Sequence, residues 1–336
     1  MRIGERAGLR PGDQLRKAAG EAMLAVARAN EKVVVLDGDL GSSTGAHDVK
    51  KVFPDRHFNV GIAEANMVGV AAGLASCGYI PIVTSLASFL FSNAHDQIRL
   101  LVSQAGLNVK FVGSHSGLTP GPEGPTAMSL EDFALASSFP QMAVIVPCDG
   151  PSMRAALAAA VDYNGPAYVR SSREAMPLVY EDGRPFTLGK ANLLREGSDV
   201  TLIACGLMVG VSLDAAAMLA EEGIAARVLD MHTIKPLDRA AIEAAARETG
   251  AIVTAEEQFV TGGMGVNIAR VVAETCPVPM RFIGVQAGYP GSGSVPELMA
   301  AHSMTAEDIV SAAKAVVAAK RNQVSGRNLV SEARES

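Results

Sequence analysis

The 336-residue chain lacks the residues that mark several classes of protein. It has no tryptophan, only 4% aromatic residues, and four cysteines that lie far apart in the sequence. No CxxC pair occurs, and the six histidines are scattered without the spacing of zinc ligands. These absences argue against a disulfide framework, a thiol redox motif and a zinc site. They favour reduced, mostly buried thiols in a cytoplasmic protein.

Long apolar runs and an excess of positive charge are also missing. No stretch of about 18 uninterrupted apolar residues occurs, because Gly69, Gly73 and Gly78 break the longest candidate. The N-terminal residues have no apolar core of the kind found in secretory signals. Lys and Arg number 29 against 35 Asp and Glu, which gives a net charge of −6. This balance argues against binding to nucleic-acid phosphates, so we expect neither a membrane nor a nucleic-acid partner.

The chain instead alternates short β-branched runs with alanine-rich helical segments, in two series. This order predicts an α/β protein with two doubly wound domains and mostly parallel sheets. The first domain is predicted over 12–175 and the second over 191–320, on either side of a Pro- and Gly-rich linker at 176–190. Residues 321–336 are predicted to form a loose polar tail. In such sheets, functional residues lie at the carboxyl ends of the strands.

The first candidate site residue is Glu64, within the sequence GIAEAN at 61–66. It follows the predicted strand Phe58–Val60 and opens the predicted helix Ala63–Ser76. Taken alone, Glu64 is either an acid that stabilises a helix N-terminus or a carboxyl that faces a cleft at the end of the strand.

Two further segments carry candidate binding residues. Phe89 and Phe91 lie at the start of the predicted helix Ser88–Val102, where they form either a stacking wall for a flat ring or part of the core. The segment GSHSGLTPGPEGPT contains His115 and Glu123 among its many glycines and prolines. Because long loops inside compact domains are usually functional, we expect this loop to bind a ligand.

In this order, these segments resemble the pyrimidine-binding and C-terminal domains of the transketolase family. The resemblance runs from about Gly20 to Ala319 and rests on several short motifs together. In the first half they are FNVGIAEANMVGVAAGLA, SFLFSNAHDQIR, NVKFVGSHSGLTPGPEGPT, SLEDFA and IVPCDG. In the second half they are REGSDVTLIACGLMV, RVLDMHTIKPLD and GAIVTAEEQFVTGG.

The resemblance implies a thiamine diphosphate enzyme that transfers a two-carbon ketol unit between sugars. Glu64 matches the family's catalytic glutamate, which hydrogen-bonds the N1′ atom of the cofactor's aminopyrimidine and must be protonated to donate. Phe89 matches an aromatic residue that packs on the same ring. Leu86 and Ser92 occupy cofactor-binding positions where other members carry aromatics, which implies a thinner stacking wall here.

The resemblance also implies three substrate-binding residues. His115 matches a histidine that faces the substrate, and Glu123 stands where the family has an aspartate that binds a sugar hydroxyl. Arg173 matches an arginine that holds the distal phosphate of the sugar, a task that suits a guanidinium because it can bind two oxygens at once.

Two departures from the family pattern bear on substrate choice. Ala127 stands where a histidine usually contacts the donor sugar. Ser137 or Ser138 stands where family members carry an arginine. An ordinary pentose phosphate can therefore not be assumed as the substrate. A branched or otherwise modified sugar phosphate and a sulfonated sugar both stay candidates.

The family's diphosphate domain has no counterpart in this chain. That domain holds Mg²⁺ with a Gly-Asp-Gly motif and a later asparagine. Here Gly38-Asp39-Leu40 lacks the last glycine and Asn66 belongs to the Glu64 helix, so we predict no metal site in this chain. The resemblance thus implies the C-terminal subunit of a split transketolase, with the diphosphate and Mg²⁺ on a separate N-terminal subunit. A shared cofactor site predicts a heterotetramer of two pairs, inactive without that partner.

Two other functions stay open at this point. The β subunit of a 2-oxo acid dehydrogenase E1 shares the domain pair and a GIAE-like motif, although the Gly-Pro-Glu-Gly-Pro-Thr loop favours transketolase. The other is a non-catalytic partner subunit that keeps the fold. Ala127 favours that alternative, whereas Glu64, Phe89 and Glu123 count against it. The donor sugar, the acceptor sugar and the pathway do not follow from the sequence.

Overall fold

Strands and helices alternate along the chain in the computed structural model, which describes residues 2–184 and 186–335, with side chains up to residue 322. The strands are β1 (Arg10–Gln14), β2 (Val33–Asp37), β3 (His57–Asn59), β4 (Ile80–Leu86), β5 (Lys110–Ser114), β6 (Ala143–Ile145), β7 (Ala167–Arg170), β8 (Ala175–Leu178), β9 (Asn192–Arg195), β10 (Val200–Ala204), β11 (Ala226–Asp230), β12 (Thr233–Lys235), β13 (Ile252–Phe259) and β14 (Met280–Val285). The helices are α1 (Leu15–Ala29), α2 (Gly41–Thr44), α3 (His47–Val52), α4 (Glu64–Ser76), α5 (Ala87–Asn93), α6 (His95–Gln97), α7 (Asp132–Ser138), α8 (Gly150–Asp162), α9 (Leu207–Glu221), α10 (Arg239–Thr249), α11 (Met264–Thr275), α12 (Val295–Ala301) and α13 (Ala306–Glu335).

The sheet of the first domain has the order β12-β6-β7-β5-β4-β2-β3, and within the described chain β12 is its one antiparallel strand. Helices cover both of its faces. Val33 and Val35 of β2 belong to a hydrophobic cluster shared with α1 and α8, whereas Val34 and Leu36 belong to a second cluster shared with α4 and α5. Because side chains alternate across a strand, a strand covered on both sides must be apolar throughout. This arrangement confirms the predicted α/β class with a mostly parallel sheet.

The second domain has a smaller sheet in the order β14-β13-β10-β11-β9, in which β9 is antiparallel to β11. The short strand β12 follows β11 in the chain but leaves this sheet. It pairs instead with β6 of the first sheet, with Thr233 opposite Ile145. The second half of the chain therefore completes the edge of the first domain's sheet.

The predicted linker, 176–190, is ordered over its first residues. Strand β8 overlaps it and pairs with β1, with Leu178 opposite Arg10. The Asp149 carboxylate then accepts hydrogen bonds from the amides of Val179, at 2.8 Å, and Tyr180, at 2.7 Å. The first part of this segment is thus fixed to the first domain.

Two segments differ in secondary structure from their predictions. The continuous helix predicted over Ser88–Val102 is wrong: the structure has α5, α6 and a π-helical segment, Ile98–Ser103, with a break at Ala94, whose φ is −125°. Such departures from regular helix are frequent at functional sites. Ser336 lies outside the described residues, and residues 321–335 of the predicted tail continue helix α13. Its side chains from residue 323 onward lie outside the described residues.

Candidate active site

The predicted site residues all follow the carboxyl ends of parallel strands in the β7-β5-β4-β2-β3 part of the first sheet. Parallel strands end at the same edge of a sheet, so this edge is where a ligand site is expected. In strand order the residues are Arg173 after β7, His115 and Glu123 after β5, Leu86, Phe89 and Ser92 at the end of β4 and in α5, and Glu64 after β3.

Glu64 is a buried carboxyl with weak partners. A turn at Gly61, where φ is +74°, brings the chain from β3 into α4, and Glu64 is the first residue of that helix. Its side chain is 4% exposed. The Ser85 hydroxyl donates to Oε1 at 3.5 Å and the Asn93 amide donates to Oε2 at 3.3 Å. Both distances exceed those of ordinary strong hydrogen bonds, so the carboxyl keeps capacity for another partner.

The structure separates the two phenylalanines at the β4–α5 turn. Phe91 is buried and packs edge-to-face on Tyr168, with ring centroids 4.7 Å apart, so it belongs to the core. Phe89 is half-buried, and Leu86, just before α5, is buried. Ser92 is exposed. Only Phe89 of the two rings therefore keeps a partly open face for stacking.

His115 begins the long loop after β5. It lies beside the end of β4, because Ser114 pairs with Leu86. Its φ of 56° is left-handed, and its Nδ1 is 2.9 Å from the Ser114 hydroxyl. Burial lowers the pKa of His115 to about 4; Glu123 opposes this shift and Arg173 adds to it. The imidazole is therefore neutral at pH 7.

Glu123 and Arg173 form an ion pair beside His115, with Oε1 and Nη2 3.3 Å apart. Arg173 also donates from Nη1 to the Pro120 carbonyl at 3.1 Å. Both side chains remain partly exposed. The structure thus brings the three predicted substrate residues together. The Ala127 carbonyl accepts from the Ser88 hydroxyl at 3.2 Å, and the Ala127 amide donates to the Gly124 carbonyl at 3.1 Å.

A buried network under this loop was missed by the sequence analysis. Arg170 donates from Nε to Asp132 at 3.0 Å, and its Nη1 lies 3.6 Å from Glu257 of the second domain. Gln258 donates to the other oxygen of Asp132. The signal was present in the sequence: β13 contains the run Glu-Glu-Gln inside an otherwise apolar strand, and buried polar residues need partners.

In the motif Gly38-Asp39-Leu40, the Asp39 side chain is bonded to another residue of this chain. Asp39 accepts a hydrogen bond from the Asn59 amide at 2.8 Å, and Asn66 is exposed on α4. Over the ranges that the structure describes, no three His, Cys, Asp or Glu side chains converge as a metal-binding group. Within the same ranges, no helix combines the length and the hydropathy needed to span a membrane.

Comparison with protein families matches both halves of the chain. The transketolase pyrimidine-binding domain matches residues 13–179. The transketolase C-terminal domain matches residues 189–309. The chain belongs to the transketolase family.

Its relatives within the transketolase family include subunits of divided enzymes. The 6-deoxy-6-sulfo-D-fructose transketolase subunit SqwH of Clostridium sp. (strain MSTE9) is 42% identical over 91% of this chain and 95% of its own length. A subunit of the apulose-4-phosphate transketolase of Phocaeicola vulgatus is 39% identical over 88% of this chain and 94% of its own length. A solved structure, described as a split gene transketolase in an inactive beta4 tetramer, is 40% identical with a TM-score of 0.85, covering 92% of this chain and 99% of that one. These matches confirm the predicted resemblance to a split transketolase subunit.

Proposed function

We propose that this chain provides the pyrimidine half of a thiamine diphosphate site in a two-subunit transketolase. The observation that carries the proposal is Glu64, a carboxyl that is 4% exposed yet held only by two long hydrogen bonds. A buried carboxyl is costly unless it is paired. A ring nitrogen of the cofactor is a partner of the right kind for this position.

The residues around Glu64 fit the aminopyrimidine of the cofactor. Glu64 would hold a proton at the ring nitrogen, while Phe89 offers a half-buried ring and Leu86 an apolar contact at the end of β4. When bound, thiamine diphosphate supplies the nucleophilic carbon that carries the two-carbon unit. Ser85 and Asn93 orient the Glu64 carboxyl. Ser92, exposed on α5, stays a predicted cofactor contact at the rim.

The loop after β5 and Arg173 fit a sugar with an anionic group. His115 is neutral, so it can donate or accept one hydrogen bond to a sugar oxygen. Glu123 accepts from hydroxyls, and Arg173 can bind two oxygens of a phosphate or a sulfonate. The relatives act, by name, on a sulfonated and on a phosphorylated sugar. The proposed substrate is therefore a ketose with a phosphate or sulfonate at its distal end.

An apolar surface beside Glu64 supports a partner subunit. Ile62 is 82% exposed, and Val70, Leu100 and Leu101 are each about two-fifths exposed. Leu101 lies next to Gly69 of α4. Clustered apolar side chains at the surface indicate a protein interface. The proposed occupant is the N-terminal subunit that holds the diphosphate and Mg²⁺, in a heterotetramer of two pairs.

The test is reconstitution. The purified chain, a diphosphate-binding transketolase subunit from the same source, and the mixture of the two would be assayed for ketol transfer with thiamine diphosphate and Mg²⁺. A panel of phosphorylated and sulfonated ketoses would serve as donors. We expect turnover only in the mixture, as the inactive beta4 tetramer of the solved relative suggests. Turnover by the single chain would contradict the shared site.

The same assay separates the alternatives. Acyl transfer to a lipoyl group, instead of ketol transfer to an aldose, would indicate a 2-oxo acid dehydrogenase subunit. Binding of the cofactor by the mixture without either reaction would indicate a non-catalytic subunit. A Leu101→Glu variant tests the interface: it should weaken assembly, because a charge would replace an apolar contact, without unfolding the isolated chain.

A further inference from the structure

The loop after β5 is hydrogen-bonded to a buried carboxyl of the second domain. Glu257, on β13, is 2% exposed, and its Oε1 accepts a hydrogen bond from the Leu118 amide at 2.6 Å. One carboxyl of the second domain therefore fixes an amide in the middle of the loop.

The backbone at Gly117 is shaped to this contact. Its φ is +64°, and a Cβ atom built on it would overlap the Glu257 carboxyl. The Gly117 amide donates to the Ser129 carbonyl at 2.8 Å, which ties the two ends of the loop together. Glycine is needed here both for its left-handed backbone and for the close approach of Glu257.

The contact lies between the residues proposed to bind the sugar. Leu118 and Thr119 stand between His115 and Glu123 in the loop. The Thr119 hydroxyl accepts from the Arg173 amide at 3.2 Å. A shift of the Leu118 amide would therefore displace all three proposed substrate residues together.

The charge of Glu257 is balanced inside the protein. Arg170 faces it at 3.6 Å and donates to its backbone carbonyl at 3.0 Å. Burial raises the pKa of Glu257 to about 7, and Arg170 and the Leu118 amide oppose that rise. Because its oxygens are used by protein groups, this carboxyl is placed to hold the loop and not to contact a ligand.

We propose that Glu257 is a positioning residue: the second domain uses it to set the substrate loop over the first domain's sheet. The proposal rests on the proposed function only for the loop's role in sugar binding. The contacts themselves predict a change in loop order that can be measured without any catalytic assay.

The chain provides a matched control in the preceding residue. Glu256 is also fully buried, its pKa is likewise raised to about 7 by burial, and it accepts from two backbone amides. These amides are Met264, at 2.5 Å, and Gly265, at 2.8 Å, at the start of α11 in its own domain. Glu256→Gln and Glu257→Gln therefore each replace a buried carboxyl by an amide, at neighbouring positions on opposite sides of one strand.

Amide hydrogen exchange of the purified chain, read by mass spectrometry, tests the contact. In Glu257→Gln we expect exchange over 115–126 to rise by about tenfold, because a neutral amide oxygen accepts more weakly than a carboxylate and the new NH2 group faces Arg170. In Glu256→Gln this segment should exchange as in the wild type, and the start of α11 should exchange faster. If Glu257→Gln fails to fold, Gly117→Ala carries the test, because it moves the loop off the intact carboxyl. Unchanged exchange over 115–126 in the folded variant overturns the proposal.

The assembled enzyme gives a second readout. We expect Glu257→Gln to raise the KM for the sugar by about tenfold while the half-saturating cofactor concentration stays the same. A purely structural defect would lower kcat with the amount of folded enzyme and leave KM unchanged, and that result overturns the proposal. If the wild-type mixture transfers no ketol unit, the proposed function fails, whereas the exchange experiment still decides the role of Glu257.

Discussion

Glu64, which follows β3 of the first domain's sheet, and Glu257, on β13 of the second domain's sheet, are both buried glutamates, yet their surroundings differ. Glu64 has two side-chain partners at 3.3 and 3.5 Å. Glu257 has a backbone amide at 2.6 Å and a guanidinium at 3.6 Å. A carboxyl that the fold leaves weakly bonded is available to a ligand, whereas one with filled partners stabilises the fold.

The surroundings of the two residues extend this contrast. Ile62, two residues before Glu64, is 82% exposed, and Leu101, next to Gly69 of the Glu64 helix, is 43% exposed, whereas Glu257 lies between two domains of one chain. We therefore expect the Glu64 region to be completed by other molecules. The Glu257 region is complete within the chain, and it sets the shape of the loop on which the proposed sugar site depends.

The largest effect is expected when the cation beside Glu257 is removed, which tests whether this carboxyl stabilises the fold. Arg170→Met leaves Glu257 and Asp132 buried without their counter-charge. Loss of one partner of a buried ion pair costs about 3–5 kcal/mol, so we expect the free energy of unfolding to fall by that amount. Urea denaturation measures it.

The matched control for that substitution is a surface arginine. Arg154 pairs with Asp182 at 2.5 Å, but Asp182 is largely exposed. Exposed ion pairs contribute about 0–1 kcal/mol, so Arg154→Met should have a small effect. If both variants lost the same stability, the buried network would not be the element that ties the domains together.

The substitution Glu64→Gln tests whether the other carboxyl, Glu64, serves a ligand and not the fold. We expect ketol transfer by the assembled enzyme to fall by about 100-fold or more, because the amide cannot hold and return a proton. The free energy of unfolding of the single chain should change by no more than about 0.5 kcal/mol, since only long hydrogen bonds are altered. Glu257→Gln should show the reverse order, with stability more affected than cofactor use. If the two variants lost activity and stability in the same proportion, the distinction between Glu64 and Glu257 would be contradicted.

Much of the first site could be predicted because its signals are local. The apolar runs Val33–Leu36 and Ile80–Val83 indicate strands of a parallel sheet, and the residues just after such strands meet at one edge. Glu64, Phe89 and His115 follow strand ends in the sequence itself. Their family motifs are contiguous segments, and the resemblance rests on these segments and their order in the chain.

The support of the loop could not be predicted in the same way. Glu257 is 139 residues from Leu118, and no local pattern states which backbone a buried carboxyl will meet. The pairing of β12 with the first sheet has the same cause, since it depends on how the domains dock. The break in the predicted helix Ser88–Val102 lies next to Asn93, whose amide donates to Glu64, and helix propensity contains no such tertiary contact.

The pH dependence of the free energy of unfolding tests whether the His115 imidazole is buried in the loop. Its pKa is about 4 in the folded chain against 6.5 as its ordinary value, so the unfolded chain takes up the proton first as pH falls. Stability is therefore lost as pH drops below 6.5. Between pH 7 and 4.5 the wild type should lose about 2 kcal/mol more than His115→Asn. Urea midpoints across this range measure the difference, which should be constant between pH 7 and 8. A parallel decline in both proteins would mean that the imidazole is open to water.

The smallest expected effect separates two arginines that are three residues apart. Arg170 points into the buried network, whereas Arg173 lies at the rim with Glu123. Arg173→Lys keeps the charge but loses the two-pronged contact with an anionic group, so we expect the KM for a phosphorylated or sulfonated sugar to rise about tenfold. Stability should stay unchanged, because the ion pair with Glu123 is partly exposed. A ketose without an anionic group serves as the control substrate, and its KM should be the same in both enzymes. An equal rise for charged and uncharged sugars would show that Arg173 acts on the loop's shape, as Glu257 does, and not on the anion.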